Sequence, residues 1–444
     1  MNKSLYIVAF SLAFATTGIA QNNEGQDKVI DLGTQTTTEL RKTQAVSTIY
    51  SNELDKNAAT SPYNAIYGLL PGLSVMQNTS WGTDKSRLNV RGRGSLNGDT
   101  PLFVVDGFAR PLEYINLSEI ESISVLKDGA ATALWGGRGA NGVVLITTKR
   151  GIYSQKDIKV DYKFGLGFPV NQPEFADAYT YAKARNEALR YDGLQPDMDE
   201  ASFLSGGNSD LYPNVDWQKE ALRNHTTSHQ LDITFRGGGK RLRYFSVLNY
   251  KNDMGLLNSK YTDYTDRYNS QMKKYFLNLR MNLDVDITDA TKLKLSMLGM
   301  LRETKRPTTS EATLFEQIFN TPSAAFPVQT QNGFWGSNNV LKTNPIANLA
   351  DVGYYKLNQR MLQADLRLVQ DLSVLTRGLS AELAIAYDNN ATYQETAKKS
   401  FMYQTIEKGI DGEPIYTNYG NPNDELDVDR SEEHTSELQS QSTI

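Results

Sequence analysis

From Leu277 to Ile287 the chain alternates without a break. Leu277, Leu279, Met281, Leu283, Val285 and Ile287 are apolar, and Asn278, Arg280, Asn282, Asp284 and Asp286 between them are polar or charged. A period of two is that of a β-strand, whose successive side chains point to opposite faces. The segment therefore predicts a strand with one face in an apolar medium and the other in a polar one. Val160, Tyr162, Phe164, Leu166 and Phe168 repeat the pattern, and further strands are expected near 228–236, 241–251, 291–301, 361–372 and 379–388. Strands of soluble sandwiches average about 5–6 residues, whereas a tilted strand crossing a bilayer needs about 9–11. The runs 275–287, 291–301 and 361–372 reach that length. Met281, in the middle of the cleanest run, is expected to face lipid, and Asn282 the lumen.

The connections alternate too. Those over 169–227, 252–274 and 302–360 are long, and those over 237–240, 288–290 and 373–378 are short. Long outer loops and short periplasmic turns are the pattern of an outer-membrane barrel. Downstream of the N-terminus no apolar run is long enough for a spanning helix, so insertion has to use a barrel. At the N-terminus Met1-Asn2-Lys3 is a short basic region, Leu5–Ala15 an apolar core, and Gly18-Ile19-Ala20 a small-residue cleavage site. Residues 1–20 read as a secretory signal peptide. Residues 21–50 are polar and read as a linker.

Residues 51–151 have a different character and predict a compact α+β domain. A helix is expected at Tyr63–Leu70 after the Ser61-Pro62 start signal, with strands at Leu73–Gln77, Leu88–Arg91, Leu102–Asp106, Ile120–Leu126 and Val143–Thr148. The glycine-dense stretch around Gly136, Gly137 and Gly139 raises the question of a phosphate cradle. These glycines follow the short Ala-rich helix Gly129–Trp135 rather than precede a helix, and GxxxxGK[ST] is absent, so they read as a helix stop and a tight return into a strand.

Composition narrows the chemistry. There is no Cys, which excludes disulfides and thiolate sites. The three His are His225, His229 and His434; the first two have helical i,i+4 spacing but open a strand-like run, where that spacing does not converge on a metal. A net charge of −5 argues against a nucleic-acid partner. No catalytic constellation, cofactor motif or metal set emerges, and the chain does not read as an enzyme.

Against this background NVRGRGSLNGDTPLFVVDG (Asn89–Gly107), INLSEIESISVLKDGAATALWGGRGANGVVLITTKRG (Ile115–Gly151), NLDVDIT (Asn282–Thr288) and QDLSVLTRGLSAELAIAYDN (Gln370–Asn389) resemble the SusC/RagA family of TonB-linked outer-membrane transporters. The resemblance implies an α+β plug at 51–151 followed by an incomplete antiparallel transmembrane β-barrel at 158–429, about seven strands of a barrel that numbers about 22 in the family. It further implies residence in the outer membrane of a Gram-negative bacterium and active import of a large nutrient, an oligosaccharide or peptide. The TonB complex would supply the energy and a SusD-like surface lipoprotein would act as lid. KVIDLGTQ (Lys28–Gln35) departs from the family's usual TonB box; within it Val29, Ile30, Asp31, Leu32 and Gly33 are the candidates for pairing with TonB by strand addition. Arg91, Arg93, Asp106, Glu119, Glu121, Lys127, Asp128 and Arg138 are candidates for contacts between plug and barrel wall. Asp106 and Asp128 also fall at strand and helix ends, where a carboxylate caps backbone N–H groups. Substrate contacts are assigned to plug apices and outer loops without naming residues. The alternatives are a siderophore or vitamin receptor of the same architecture and, from another class, an exported adhesin or structural β-protein. The closing residues Arg430–Ile444 resemble a sequencing adapter translated in one frame and are expected to form no strand.

Overall fold

Among the described residues, the two largest β-sheets are built on opposite polarity rules. The computed structural model describes residues 8–12, 29–32, 36–38, 41–56, 61–77, 86–95, 98–170, 172–263, 265–421 and 425–443. Val8–Leu12 (β1) lies within the segment expected to be removed as a signal peptide. Val29–Asp31 (β2) and Thr36–Thr38 (β3) form a small antiparallel hairpin. The plug domain follows with Val46–Tyr50 (β4), Leu73–Met76 (β5), Arg87–Val90 (β6), Leu102–Val105 (β7), Phe108–Ala109 (β8), Ile120–Leu126 (β9) and Val143–Thr148 (β10). Its main sheet has the order β4-β9-β10-β7-β8, and β5-β6 is a separate hairpin. The stretch read as linker therefore ends before Val46, whose strand closes one edge of this sheet. The helix expected to reach Leu70 stops at Ala65 and continues as turns.

The plug's core is apolar in the ordinary sense: Ile49, Leu88, Leu112, Ile120, Ile123, Val125 and Val144 pack together, nearly all of them fully enclosed. Asp106 and Gly107 both take positive φ, 47° and 93°, and form the tight turn between β7 and β8. Asp-Gly suits a two-residue hairpin of this hand.

The second sheet is a wall of long strands: Lys156–Gly167 (β11), Thr226–Gly238 (β12), Leu242–Met254 (β13), Lys273–Asp286 (β14) and Thr291–Pro307 (β15). After a short outer strand, Trp335–Ser337 (β16), come Gly353–Asp371 (β17) and Ser380–Lys398 (β18). Tyr403–Lys408 (β19) and Pro414–Tyr419 (β20) lie outside the wall, and Asp427–Thr443 (β21) returns to it. The order is β1-β11-β12-β13-β14-β15-β17-β18-β21, antiparallel throughout. All seven expected strands are present and longer than expected.

One expectation about the tail is corrected here. Residues 430–443 do form a strand, because the backbone donors and acceptors along the β18 edge are satisfied by any extended segment, with or without alternation. The sheet is open, as expected of an incomplete barrel; besides the seven expected strands it includes β1 and β21, which are its two ends and do not pair.

The wall inverts the plug's rule. Leu277, Leu279 and Met281 are 40%, 44% and 39% exposed, while Asn278, Arg280 and Asn282 are each only 1% exposed. The outward apolar band also steps along the strands. It ends at Leu277 on β14 and at Leu301 directly opposite on β15; Leu301 then faces Arg360 on β17, where the band ends one step lower at Leu362. Leu362 faces Asn389 on β18, where the run of exposed large apolar side chains, Leu383, Ile385 and Tyr387, stops just short of that row. A level band that descends across the hydrogen-bonded rows means that the strands are tilted against it, as in a membrane barrel.

Beyond the band the long loops fold on one another. Trp217, Leu257, Tyr261, Leu314, Phe326, Trp335 and Ile346, from three different loops, share an apolar core. β16 pairs parallel with β19, which pairs with β20, so the third and fourth loops are stitched together. Buried Asn344 donates to the carbonyls of Val328 and Gly336 at 3.0 and 2.9 Å and accepts from the Ile346 N–H at 2.9 Å. Among the described residues no helix is long and apolar enough to cross a membrane.

Candidate functional site: the interface between plug and wall

The polar inner face of the wall needs partners, because a buried polar group without a hydrogen bond is costly. The plug supplies them. Glu119 ends a single 3-10 turn, Leu117–Glu119, whose cap Asn116 accepts from the Ser118 N–H while Glu119 accepts from the Asn116 N–H. This local geometry aims the Glu119 carboxylate at β14. There Arg280 Nε donates to it at 2.5 Å, and Asn278 donates to its other oxygen. Both ion-pair partners are fully enclosed.

A second tie is made by Arg110, just after β8. Its guanidinium lies between two wall carboxylates, with Nη1 donating to Asp365 at 2.7 Å, Nε to Asp388 at 2.9 Å, and Nη2 to both. Arg150, after β10, pairs with Asp284 at 2.7 Å and donates to Ser296 Oγ at 2.9 Å. Asn282 donates to Thr148 Oγ1 and to the Lys149 carbonyl at 2.9 and 2.7 Å. Two plug side chains also press into apolar gaps of the inner wall: Tyr114 against Leu298, Met300 and Met361, and Phe108 against Ala384 and Ala386.

The candidate contact residues separate by location. Glu119 reaches the wall, as does Glu121, 3.5 Å from Arg236. Asp106 meets the wall through its carbonyl, which accepts from Arg367 at 2.7 Å. Its carboxylate instead accepts from the Thr148 N–H and Oγ1 at 3.0 and 2.6 Å. Burial would raise the Asp106 pKa, but Arg150, Arg280 and the Thr148 hydrogen bonds hold it below the ordinary carboxylate range. Gly107 also packs close to Arg367, where an added Cβ would lie 2.8 Å from the guanidinium, but that flexible side chain could shift; it is the φ of 93° that favours glycine here.

The remaining candidates are engaged inside the plug or lie exposed. Lys127 donates to Ser47 Oγ and the Pro71 carbonyl at 2.6 and 3.0 Å. Asp128 accepts from the Ala45 and Ala131 N–H groups, both at 2.8 Å, and these bonds keep its carboxyl below the usual range. Arg93 pairs with Asp99 at 3.1 Å. Arg91 and Arg138 are exposed.

The candidate TonB segment is not a free strand. Ile30 and Leu32 are buried against Val46, Val104, Leu126, Val143 and Leu145 of the plug. Val29–Asp31 pairs with Thr36–Thr38, and Gly33 lies outside the described residues. His229 sits beside Tyr162, whose hydroxyl is 2.7 Å from its Nδ1. No group of three or more His, Cys, Asp or Glu that could hold a metal occurs among the described residues.

Sequence reasoning missed Arg110, Arg150 and their wall partners. One signal was available: Met297–Leu301 (MLGML) is apolar at consecutive positions, and this break in alternation is where Tyr114 touches the wall. No local feature links Arg110 to carboxylates more than 250 residues away. Asn282 does not face open lumen water but is packed against the plug, so an arginine there would collide with Thr148 and Lys149.

The outer loops add a cleft of about 710 Å³ bordered by Phe175, Asp177, Asp216, Trp217, Arg223 and Ile318. Inner and outer sites together describe a plugged wall capped by ordered loops.

Residues 38–143 match the family described as TonB-dependent Receptor Plug Domain. The chain is 28% identical over 281 residues to a TonB-dependent receptor of Formosa agariphila, a match covering 62% of this chain and 26% of the relative. It is 29% identical over 283 residues to the TonB-dependent receptor SusC of Bacteroides thetaiotaomicron, covering 60% and 26%. These matches thus span about a quarter of the length of the curated relatives. Among solved structures, the RagAB peptide importer in its closed-closed state superposes with a TM-score of 0.65 at 17% identity, over 90% of this chain and 53% of that one.

Proposed function

We propose that this chain, a member of the TonB-dependent receptors of the SusC/RagA type, works in the outer membrane as part of an active importer of a large nutrient, an oligosaccharide or a peptide. The observation that carries the reading is the polar seam: a plug seated by ion pairs and hydrogen bonds against a wall whose other face is apolar. Such a seam can be separated and remade in water, as a plug that opens a path requires. An apolar seam would resist separation.

In this reading the open wall belongs to a closed barrel of about 22 strands, since unpaired strand edges are not tolerated in lipid. The outer loops and their cleft receive the nutrient, a SusD-like lipoprotein covers them, and TonB pulls on the N-terminal segment. The peptide option is supported by the likeness to the RagAB peptide importer, and the oligosaccharide option by the resemblance to the SusC/RagA family. Val29, Ile30, Asp31, Leu32 and Gly33 remain the proposed TonB contact, with Ile30 and Leu32 leaving the plug when TonB pairs.

Because the chain has no Cys, single cysteines at positions 29–33 report specifically on that contact. Cysteine at Ile30 is expected to cross-link to a cysteine-bearing TonB in cells, and cysteine at Tyr67 is not. The function itself is tested by purifying the protein from native outer membranes. A surface lipoprotein should accompany it, and labelled oligosaccharide or peptide should be retained. Retention of a ferric chelate without a lipoprotein would replace this reading by the siderophore one.

A further inference from the structure

The outward face of the wall carries more than its apolar band. Four residues beyond Leu277 and Leu301, Lys273 of β14 and Lys305 of β15 stand directly opposite each other, and Lys305 stands opposite Lys356 of β17. Like charges directly opposite across a ladder are destabilising, yet two such juxtapositions share one lateral row. Between this row and the band lies Arg360, exposed and opposite Leu301. Glu303 is shared, 3.1 Å from Lys305 and 3.3 Å from Lys356. Glu395, opposite Lys356, accepts a hydrogen bond from Tyr354 at 2.7 Å, and with Glu303 it leaves the four cations two charges in excess. Among the described residues, Lys273 and Arg360 make no ion pair. The patch keeps an excess of positive charge that the protein itself does not neutralise.

Its height says what could neutralise it. At ~3.3 Å per residue and a tilt of ~40°, the lysine row stands on the order of 10 Å beyond the apolar band, and Arg360 roughly 5 Å beyond it. A phospholipid headgroup layer is only about 5–7 Å deep on each side. The cations therefore climb from the phosphate level of a phospholipid to well above it. They match an anionic headgroup that is tall and carries phosphate at more than one height.

We propose that Lys273, Lys305, Lys356 and Arg360 bind the phosphorylated saccharide headgroup of an outer-leaflet glycolipid whose acyl chains lie on Leu277, Leu301 and Leu362. The proposal rests on the outer-membrane reading above. Bound phosphate relieves the lysine–lysine repulsion, and the apolar band below holds the acyl chains. A free phosphate would find the same ammonium groups but not the band.

The test counts lipopolysaccharide molecules retained by detergent-purified protein from outer membranes, using native mass spectrometry. The variants are K273Q/K305Q/K356Q/R360Q, the charge-preserving K273R/K305R/K356R, and K219Q/K260Q/K408Q, which removes charge from the outer loops instead. Wild type, the arginine variant and the loop variant are expected to retain lipopolysaccharide. The four-glutamine variant should retain it roughly a hundredfold more weakly. Equal retention by the glutamine variant, with normal recovery from the outer membrane, overturns the site and leaves the function untouched. Displacement by millimolar inorganic phosphate alone would assign the site to free phosphate. Equal retention of phosphatidylglycerol from vesicles would reduce it to a general anionic surface. Either result overturns the glycolipid assignment. Failure to recover wild-type protein from the outer membrane would sink the proposal together with the reading it rests on.

Discussion

β9 of the plug and β14 of the wall are both extended segments rich in branched and long apolar residues, yet they are built inside out relative to each other. In β9, Ile120, Ile123, Val125 and Leu126 are fully buried. In β14 the apolar residues look outward and the enclosed ones are Asn278, Arg280 and Asn282. The plug strand is stabilised by taking apolar surface out of water. On the wall strand that surface needs no protein partner if its medium is lipid, and the enclosed polar groups need one badly. The difference teaches that what seats the plug is carried mainly by polar contacts, whereas what holds the plug together is apolar packing.

The comparison breaks first at Glu119. Glu119→Leu strands Arg280 in an enclosed site and is expected to cost about 3–5 kcal/mol, while adding Arg280→Met should recover most of it. Denaturant unfolding of detergent-refolded protein measures both; a single-variant cost no larger than that of a surface substitution would remove the ion pair from the account. Next comes the plug interior, where Ile123→Ala leaves a cavity and should cost about 2–5 kcal/mol. Met281→Ala on the wall should cost far less than Ile123→Ala in the same assay, because lipid or detergent fills the space.

Polarity should be less forgiving there than size. Met281→Arg is expected to lose about 2–4 kcal/mol on insertion into vesicles if Met281 lies at the bilayer midplane. An insertion free energy equal to that of wild type would mean that the outward face is not in lipid. The smallest effect is local to the plug. Asp128→Ala removes two N–H contacts at a helix cap and should cost about 1 kcal/mol at neutral pH. The folded-state pKa of Asp128 is depressed, so its contribution is present above the ordinary carboxylate value and fades as pH falls through it and below. The gap between wild type and Asp128→Ala should therefore close in acid; a gap that widens in acid would contradict the hydrogen-bond assignment.

Much of the architecture was legible before any coordinates, since period two over 277–287 and alternating loop lengths are local properties of the chain. The plug strands Ile120–Leu126 and Val143–Thr148 could be read to the residue because each is rich in β-branched residues and bounded by charge or glycine. The candidate site was less legible. Glu119 was named from its place in a plug motif, but Lys127 and Asp128 from the same motif are bonded within the plug. Charge alone does not say whether a residue faces its own domain or the next.

What the amino-acid sequence determined by itself is the seven long strands of the wall, their alternation and five of the plug strands, because backbone geometry and side-chain period act over a few residues. What only the tertiary structure decided is which partner each enclosed charge meets, and which short segments, such as Val46–Tyr50, become strands by pairing with a neighbour. Arg110 finds Asp365 and Asp388, and Ile30 finds the plug core, because chain segments far apart in sequence are brought to one place. Pairing of buried groups depends on angles and distances of a few ångströms between such segments, and no local pattern of residues encodes those.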